Sequence, residues 1–179
     1  SRPVLLCGYY GEHNLGDDAL LEAVLAQLPQ GVQPLVTAAD QEAVQQRHGV
    51  PTVQRRSLRS VLQALGQCRA LVLGGGSLLQ DSTSFRSLLY YAALISTARL
   101  QRKPVLLWAQ GLGPLRRRRS RALVRLLLPM ATGISWRDSD SARLSRAFGV
   151  SAPHGTDAVW SLERQHWLGQ GARSWSAGG

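Results

Sequence analysis

The chain has 179 residues, of which 44% are hydrophobic, and its formal net charge is +10 at pH 7. A chain of this length can bury the core of one domain without disulfides or a metal, and no apolar run approaches the ~18 residues of a transmembrane helix. The excess charge is almost entirely arginine, with Lys103 the only lysine; arginine recognition of carboxylates and phosphates, or a GC-rich genome, would explain this bias.

Apolar runs of strand length alternate with segments of helical periodicity along the chain. The predicted strands are residues 4–8, 34–38, 51–54, 70–73, 104–109 and 133–136. The predicted helices are residues 17–28, 40–48, 58–66, 83–100, 117–128 and 138–148. Strands that are apolar on both faces and alternate with helices are typical of a parallel sheet covered on two sides. The predicted fold class is therefore α/β, a doubly wound, Rossmann-like parallel sheet.

Local signals support these boundaries. Capping residues precede or begin four of the helices: Asp17, Asp40, Ser57 and Asp138. We expect one domain over residues 1–158, with residues 154–157 as a candidate seventh strand end. Residues 159–179 contain several glycines and no sustained period, so they are predicted to form a disordered tail.

Compartment and metal content follow from the N-terminus and the cysteines. The first residues run directly into an apolar strand, which leaves no room for a signal peptide and predicts a cytoplasmic protein. Cys7 and Cys68 lie in apolar, strand-like segments, and no Cys/His spacing resembles a zinc site. We therefore expect two buried thiols and no metal.

Ligands of an open parallel sheet bind beyond the carboxyl ends of its strands, so the segments after strands one, four, five and six are candidate binding loops. The first, residues 8–18, reads GYYGEHNLGDD, and its glycines allow a backbone to approach an anion. Gly11, Asn14 and Gly16 are its candidate binding residues, and Asp17 is a candidate catalytic group. A tight turn and a helix cap would also explain Asp17.

The second candidate loop begins with a glycine triplet directly after the fourth predicted strand. Three consecutive glycines are costly to order, and a simple strand-to-helix turn rarely needs them. Gly74, Gly75 and Gly76 are therefore candidate substrate-binding residues. Ser77 adds a candidate binding hydroxyl, and Asp81 a candidate catalytic carboxylate.

The remaining two loops contribute an amide and a guanidinium. Gln110 and Gly111 follow the fifth strand, where the glutamine can reach into the crevice unless the segment is only a Gly-Pro turn. Arg137 ends the sixth strand above a helix N-terminus, a position suited to clamping a carboxylate or phosphate. We expect Arg137 to bind substrate and to take part in catalysis, and Trp136 to belong to the core.

Four motifs together resemble the polysaccharide pyruvyl transferases, in particular the cell-surface anchoring type. They are GYYGEHNLGDDALL, LVLGGGSLLQDSTS, WAQGLGP and SWRDSDS, which occur in the family's order and approximate spacing. The resemblance implies a fold like one half of a glycosyltransferase with two facing Rossmann-like domains. It also implies transfer of pyruvate from phosphoenolpyruvate to a sugar, commonly of the N-acetylmannosamine type, as a cyclic ketal.

The resemblance further implies roles for particular residues. Arg137 is similar to an arginine that holds the donor, with residues 74–77, Asp81 and Gln110 lining the crevice and Asn14 and Asp17 shaping its floor. Phosphoenolpyruvate is the only small molecule that this reaction needs besides the acceptor, so no cofactor is expected. The expected acceptor is a lipid-linked or polymeric saccharide.

The sequence departs from the family in its second half. The resemblance implies that a histidine and a lysine usually credited with donor binding lie in a second domain, which we expect this chain to lack. We expect a truncated or fragmentary chain that folds but has little activity alone. The arginine run 116–119 is either a solvated surface, a contact to anionic lipid at the inner face of the membrane, or a means of attracting an anionic substrate.

Three other functions compete with this interpretation. A sugar-nucleotide glycosyltransferase domain would have the same fold. A dinucleotide-binding domain is disfavoured because Gly8-x-x-Gly11 lacks the G-x-G-x-x-G spacing, although Asp40 follows the second strand where a ribose-binding acid would lie. Nucleic-acid binding is motivated by the +10 charge, but no basic and aromatic reading motif accompanies it.

Overall fold

The computed structural model describes residues 2–82 and 84–151. Its strands are β1 (Val4–Cys7), β2 (Pro34–Ala38), β3 (Thr52–Gln54), β4 (Ala70–Leu79), β5 (Val105–Leu112) and β6 (Gly133–Trp136). Its α-helices are α1 (Leu15–Gln27), α2 (Gln41–His48), α3 (Leu58–Gln67), α4 (Phe85–Leu100), α5 (Arg118–Leu127) and α6 (Ser139–Ala147). A short 3-10 turn, Leu128–Met130, follows α5.

The strands form one six-stranded sheet in the order β3-β2-β1-β4-β5-β6. Every pair is parallel, and β1 lies in the middle, where Val4 pairs with both Pro34 of β2 and Ala70 of β4. This arrangement confirms the predicted doubly wound, Rossmann-like α/β fold.

Helices cover both faces of the sheet because alternate strand residues point to opposite sides. Val4 and Leu6 of β1 pack with Leu21 and Val24 of α1 on one face. The neighbouring strand residue Leu5 packs on the other face, in a second core with residues of α3, α4 and α5. The sheet is thus buried on two sides, as the apolar runs predict.

Side-chain caps begin five of the helices. Asp40, Ser57 and Asp138 accept backbone N–H bonds at the starts of α2, α3 and α6, as predicted. The prediction for α1 was wrong by three residues, because Asn14 and not Asp17 is the cap. Asn14 Oδ1 accepts from the backbone N–H groups of Gly16 and Asp17, at 2.9 and 3.3 Å.

The central strands differ most from the prediction. The glycine triplet Gly74–Gly76 lies inside β4, and Gln110 and Gly111 lie inside β5, where loops were predicted. Both strands continue because they pair with each other, with Gly76 opposite Gln110 and a register shift before Leu79. Residues 154–157, the boundary at 158 and the tail 159–179 lie outside the described residues.

Candidate functional site

The candidate site is the crevice at which the strand order reverses, between β1 and β4. The chain passes from β1 to β2 and β3 on one side and then crosses to β4 on the other. β1 ends at Cys7, opposite Leu73, whereas β4 continues to Leu79. The glycine triplet therefore extends beyond the end of β1, at the position where ligands bind in open α/β sheets.

A buried tyrosine explains two of the glycines. Tyr10 is 1% exposed, and its hydroxyl donates a hydrogen bond to the carbonyl of Gly74. A Cβ atom at Gly74 would collide with this hydroxyl, and one at Gly8 would lie 2.5 Å from Cζ of the ring. Gly8 and Gly74 therefore form the slot that holds Tyr10, which is a packing role that the sequence did not suggest for Gly74.

Gly11, Asn14 and Gly16 also shape the turn between β1 and α1. Gly11 has a φ of +71°, and a Cβ atom there would lie 2.8 Å from the backbone nitrogen of Asp40. Gly16 donates its backbone N–H to Asn14 in the helix cap. These three residues therefore hold the entrance to α1 in place.

Gly75 and Gly76 form the floor of the crevice. Their φ values of +87° and +76° lie in the left-handed region, which side chains disfavour. A Cβ atom at Gly75 would touch Leu20 of α1, and one at Gly76 would lie 3.8 Å from Oδ1 of Asp17. The first turn of α1 thus brings the Asp17 carboxylate over the triplet.

Asp17 has an altered proton affinity. Burial raises the pKa of its carboxyl group, and the negative charge of Asp18 raises it further, while the positive charge of Arg55 partly opposes both. A carboxyl group with a raised pKa is suited to donate a proton. Asp17 is therefore the candidate general acid of the crevice.

Arg137 reaches the same crevice from the end of β6. Its Nη2 donates to Ser77 Oγ at 3.1 Å, and its Nε lies 3.4 Å from Asp138 Oδ2. The side chain is 50% exposed, so it retains donors for a ligand. The guanidinium passes over Gly111, where a Cβ atom would collide with Nη2 and lie 2.6 Å from Ser77 Oγ.

Gln110 faces the protein. It is fully buried, and its Nε2 donates to the carbonyls of Leu73 and Gly75 at 2.9 and 3.1 Å. We expected this amide to reach into the crevice as a substrate ligand. Instead, it holds the backbone of the glycine triplet against β5.

Asp81 is likewise engaged within the protein. It is 5% exposed, and its oxygens accept from the backbone N–H groups of Arg116 and Arg117 at 2.8 to 3.1 Å. Burial by itself would raise the pKa of this carboxyl group, but these hydrogen bonds outweigh it and lower the pKa. The predicted catalytic carboxylate thus anchors the start of α5.

Two sets of candidate residues therefore lie at the carboxyl end of β4: Asp17 lies over Gly76, and Arg137 contacts Ser77 and Gly111. A family model for polysaccharide pyruvyl transferases matches residues 14–177, which include every described helix and strand from α1 onward. The chain belongs to this family. No curated protein matches the sequence.

Membership in the pyruvyl transferase family implies a transferase that acts on a polysaccharide. Within residues 2–82 and 84–151, no group of three or more His, Cys, Asp or Glu side chains could hold a metal ion. No helix in that part of the chain is long and apolar enough to span a membrane.

An arginine outside the predicted site residues also lies at this edge of the pyruvyl transferase. Arg55, directly after β3, pairs with Glu12 at 2.9 Å and lies over the ring of Tyr9, 4.4 Å from its centroid. Arg56 binds the second oxygen of Glu12 at 2.9 Å. The sequence did contain a signal for these two residues, because Arg55 and Arg56 follow the carboxyl end of a strand as Arg137 does.

Proposed function

We propose that this chain takes part in transferring a pyruvyl group from phosphoenolpyruvate to two hydroxyls of a saccharide, forming a cyclic ketal. Family membership supports the transfer to a polysaccharide. The observation that carries the donor assignment is the Arg137 guanidinium, which is bonded to Ser77 and crosses Gly111.

Donor binding would use the planar fork of Arg137. Phosphoenolpyruvate carries a carboxylate and a phosphate, and a guanidinium pairs with either group through two parallel hydrogen bonds. Gly75 and Gly76 leave the floor of the crevice without side chains, so the donor can lie against the backbone. Ser77 keeps the arginine pointing across the crevice.

Asp17 would supply the proton. Its proton adds to the terminal carbon of the enol, which leaves positive charge on the carbon that bears the phosphate. A saccharide hydroxyl adds to that carbon, and its proton returns to the Asp17 carboxylate. The C–O bond to phosphate then breaks, the second hydroxyl adds to close the ring, and its proton leaves with the phosphate. No cofactor takes part.

The proposed acceptor is a lipid-linked or polymeric saccharide, which places the enzyme in the cytoplasm at the inner face of the membrane. The run Arg116–Arg119 is exposed around the start of α5 and can contribute to attraction by anionic headgroups. Asp81, Gln110, Gly11 and Asn14 are left out of the reacting groups because their contacts hold the fold.

Calorimetric titration with phosphoenolpyruvate tests the donor site. Arg137→Gln removes the fork, and Gly111→Ala forces the guanidinium and the Ser77 hydroxyl aside. Each is expected to weaken donor binding by a factor of about 10 to 100, the equivalent of one or two charged hydrogen bonds. Arg143→Gln, which removes an exposed arginine of α6, is the matched control for charge.

Release of inorganic phosphate in the presence of a saccharide acceptor tests the reaction. We expect release to require both the acceptor and Arg137. Donor binding that is unchanged in Arg137→Gln and Gly111→Ala would refute the donor site. Saturable binding of a sugar nucleotide in place of phosphoenolpyruvate would favour the glycosyltransferase alternative.

A further inference from the structure

The opposite edge of the sheet, where the strands begin, carries a second cluster of basic side chains. Arg2 lies before β1, Arg69 before β4 and Lys103 before β5, which are neighbours in the sheet. The backbone joins these positions, since Arg69 N donates to Pro3 O at 2.9 Å and Leu71 N to Pro104 O at 3.0 Å. Positive charges therefore lie side by side along this edge.

An open cavity of about 450 Å³ lies on this edge. Its lining is Arg99, Arg102, Lys103, Pro104 and Thr132, and we call it the amino-edge pocket. The pocket therefore combines three cations with one hydroxyl-bearing side chain in a volume suited to a small molecule.

Carboxylates lie elsewhere in the described part of the chain. Nearly all of them follow the carboxyl end of a strand or begin a helix: Glu12, Asp17, Asp18, Asp40, Glu42, Asp81, Asp138 and Asp140. The exception is Glu22, in the second turn of α1. Residues 2–82 and 84–151 thus supply no acidic side chain to the lining of the amino-edge pocket.

Helix ends account for part of this positive charge. Arg99 lies in the last turn of α4, where a cation is favourable, and the Lys103 ammonium donates to the carbonyl of Leu65 near the end of α3. The positive charges of Arg2 and Arg69 are not compensated in this way. Arg2 repels Lys103, and Arg69 has two buried guanidinium nitrogens without a hydrogen-bond partner in the described chain.

Arg102 has a backbone conformation that glycine would adopt more easily. Its φ is +57°, in the left-handed region, where an L-residue other than glycine or asparagine pays about 1 kcal/mol or more. The backbone conformation of residue 102 therefore does not explain why a long cationic side chain occupies this position. It adds charge to a pocket that already holds two cations.

We propose that the amino-edge pocket binds a phosphate-bearing ligand, at the edge of the sheet opposite the proposed donor site. Arginine forks suit the tetrahedral oxygens of a phosphate, and an anion would relieve the repulsion among the clustered cations. The ligand is either a soluble phosphorylated molecule or the phosphate of a lipid headgroup. This site does not depend on the proposed pyruvyl transfer.

Inorganic pyrophosphate is the first probe, titrated by calorimetry into the chain that carries Arg137→Gln, so that the donor site contributes little. Arg99→Gln combined with Arg102→Gly is expected to weaken binding about tenfold or more, since two charged hydrogen-bond donors are lost. Arg59→Gln combined with Arg143→Gln, which removes two exposed arginines outside the pocket lining, is the charge-matched control.

Thermal unfolding separates binding from folding. Glycine suits the backbone of residue 102, so Arg102→Gly is expected to keep the unfolding midpoint while it weakens pyrophosphate binding. Sedimentation with vesicles of equal parts phosphatidylglycerol and phosphatidylcholine distinguishes a lipid headgroup from a soluble phosphorylated ligand. Arginine-dependent sedimentation identifies a headgroup, and pyrophosphate binding without sedimentation identifies a soluble ligand.

Two results would overturn the proposal. One is pyrophosphate binding that the Arg99 and Arg102 substitutions leave unchanged. The other is failure of both pyrophosphate and the vesicles to bind when the pocket is intact. Loss of phosphoenolpyruvate binding in Arg137→Gln leaves this proposal unaffected, so the two sites are tested separately.

Discussion

Two aspartates at the carboxyl edge of the sheet have pKa values shifted in opposite directions. Burial raises the pKa of Asp17, and the negative charge of Asp18 raises it further. Backbone hydrogen bonds from Arg116 and Arg117 outweigh burial at Asp81 and lower its pKa. When the pKa values of two carboxyl groups are shifted apart in this way, the group with the raised pKa is suited to donate a proton and the other to accept structural hydrogen bonds. This difference favours Asp17 as the proton donor.

Asp17→Asn is expected to abolish most phosphate release while the fold keeps its stability. The folded-state pKa of Asp17 lies above its unfolded value, so this group favours folding at low pH and loses that contribution as pH rises through the folded pKa. At neutral pH, asparagine removes a partly buried charge and its repulsion by Asp18. Urea unfolding and a phosphate-release assay measure the two effects.

Asp18→Asn is the matched control, because it removes the same charge from the same helical turn. Release should persist, with its alkaline limb moved to lower pH, since Asp18 contributes to the raised pKa of Asp17. A stable Asp17→Asn variant that retains full release would show that another group donates the proton.

The slot around Tyr10 allows a rescue experiment. Gly74→Ala is expected to destabilise the fold by about 1–3 kcal/mol, as in other overpacked cores, because the new methyl group meets the Tyr10 hydroxyl. Tyr10→Phe removes that hydroxyl, and the next ring atom lies 3.6 Å away, an ordinary contact. The double variant should therefore be more stable than Gly74→Ala in urea unfolding.

Gly8→Ala provides the contrast. Its methyl group meets the ring carbons of Tyr10 and not only the hydroxyl, so Tyr10→Phe should not rescue it. Equal rescue at Gly8 and Gly74, or none at either, would contradict the geometry of the slot.

At the level of elements, the start of α5 depends on a carboxylate from another segment. α5 begins with arginines, and Arg117 at its cap position makes no side-chain capping bond. Cations at a helix N-terminus oppose the helix dipole. Asp81, which follows β4, supplies the negative charge and accepts the N–H groups of Arg116 and Arg117.

Asp81→Asn is expected to lower the free energy of unfolding by about 1–3 kcal/mol at neutral pH, because the backbone N–H groups of Arg116 and Arg117 lose a charged acceptor. The folded pKa of Asp81 is depressed, so its contribution is present above the unfolded pKa of about 4 and disappears as pH falls through the folded pKa. Urea unfolding across this range measures the change.

Asp140→Asn is the control for this prediction, since its side chain is 91% exposed and its pair with Arg143 spans 3.6 Å. It should change stability by less than about 0.5 kcal/mol. A difference between wild type and Asp81→Asn that stays constant down to the lowest pH would refute the electrostatic role of Asp81.

Element boundaries were predictable where the signals are local. The caps Asp40, Ser57 and Asp138 could be read from the sequence, because a cap depends on residues three positions away. The extension of β4 through three glycines could not, because it depends on pairing with β5, which is distant in the chain. The orientation of Gln110 was unpredictable for the same reason, because its side chain donates a hydrogen bond to the backbone of β4.

At the level of the whole molecule, the alternation of strands and helices predicted the parallel sheet and the carboxyl edge at which Asp17, Ser77 and Arg137 lie. It did not predict the order of the strands, because that order is decided by contacts between segments far apart in sequence. The packing reasons for Gly8, Gly74 and Gly111 were also inaccessible, since each depends on a side chain brought in by the tertiary fold.

The central place of β1 has a consequence for biosynthesis. A ribosome makes this apolar strand before the others, yet one of its two partners, β4, is made only after β2, α2, β3 and α3 have emerged. Until then, one side of the nascent β1 offers unpaired backbone groups to other nascent chains. Translation speed and chaperone supply over that interval should therefore govern the yield of native protein.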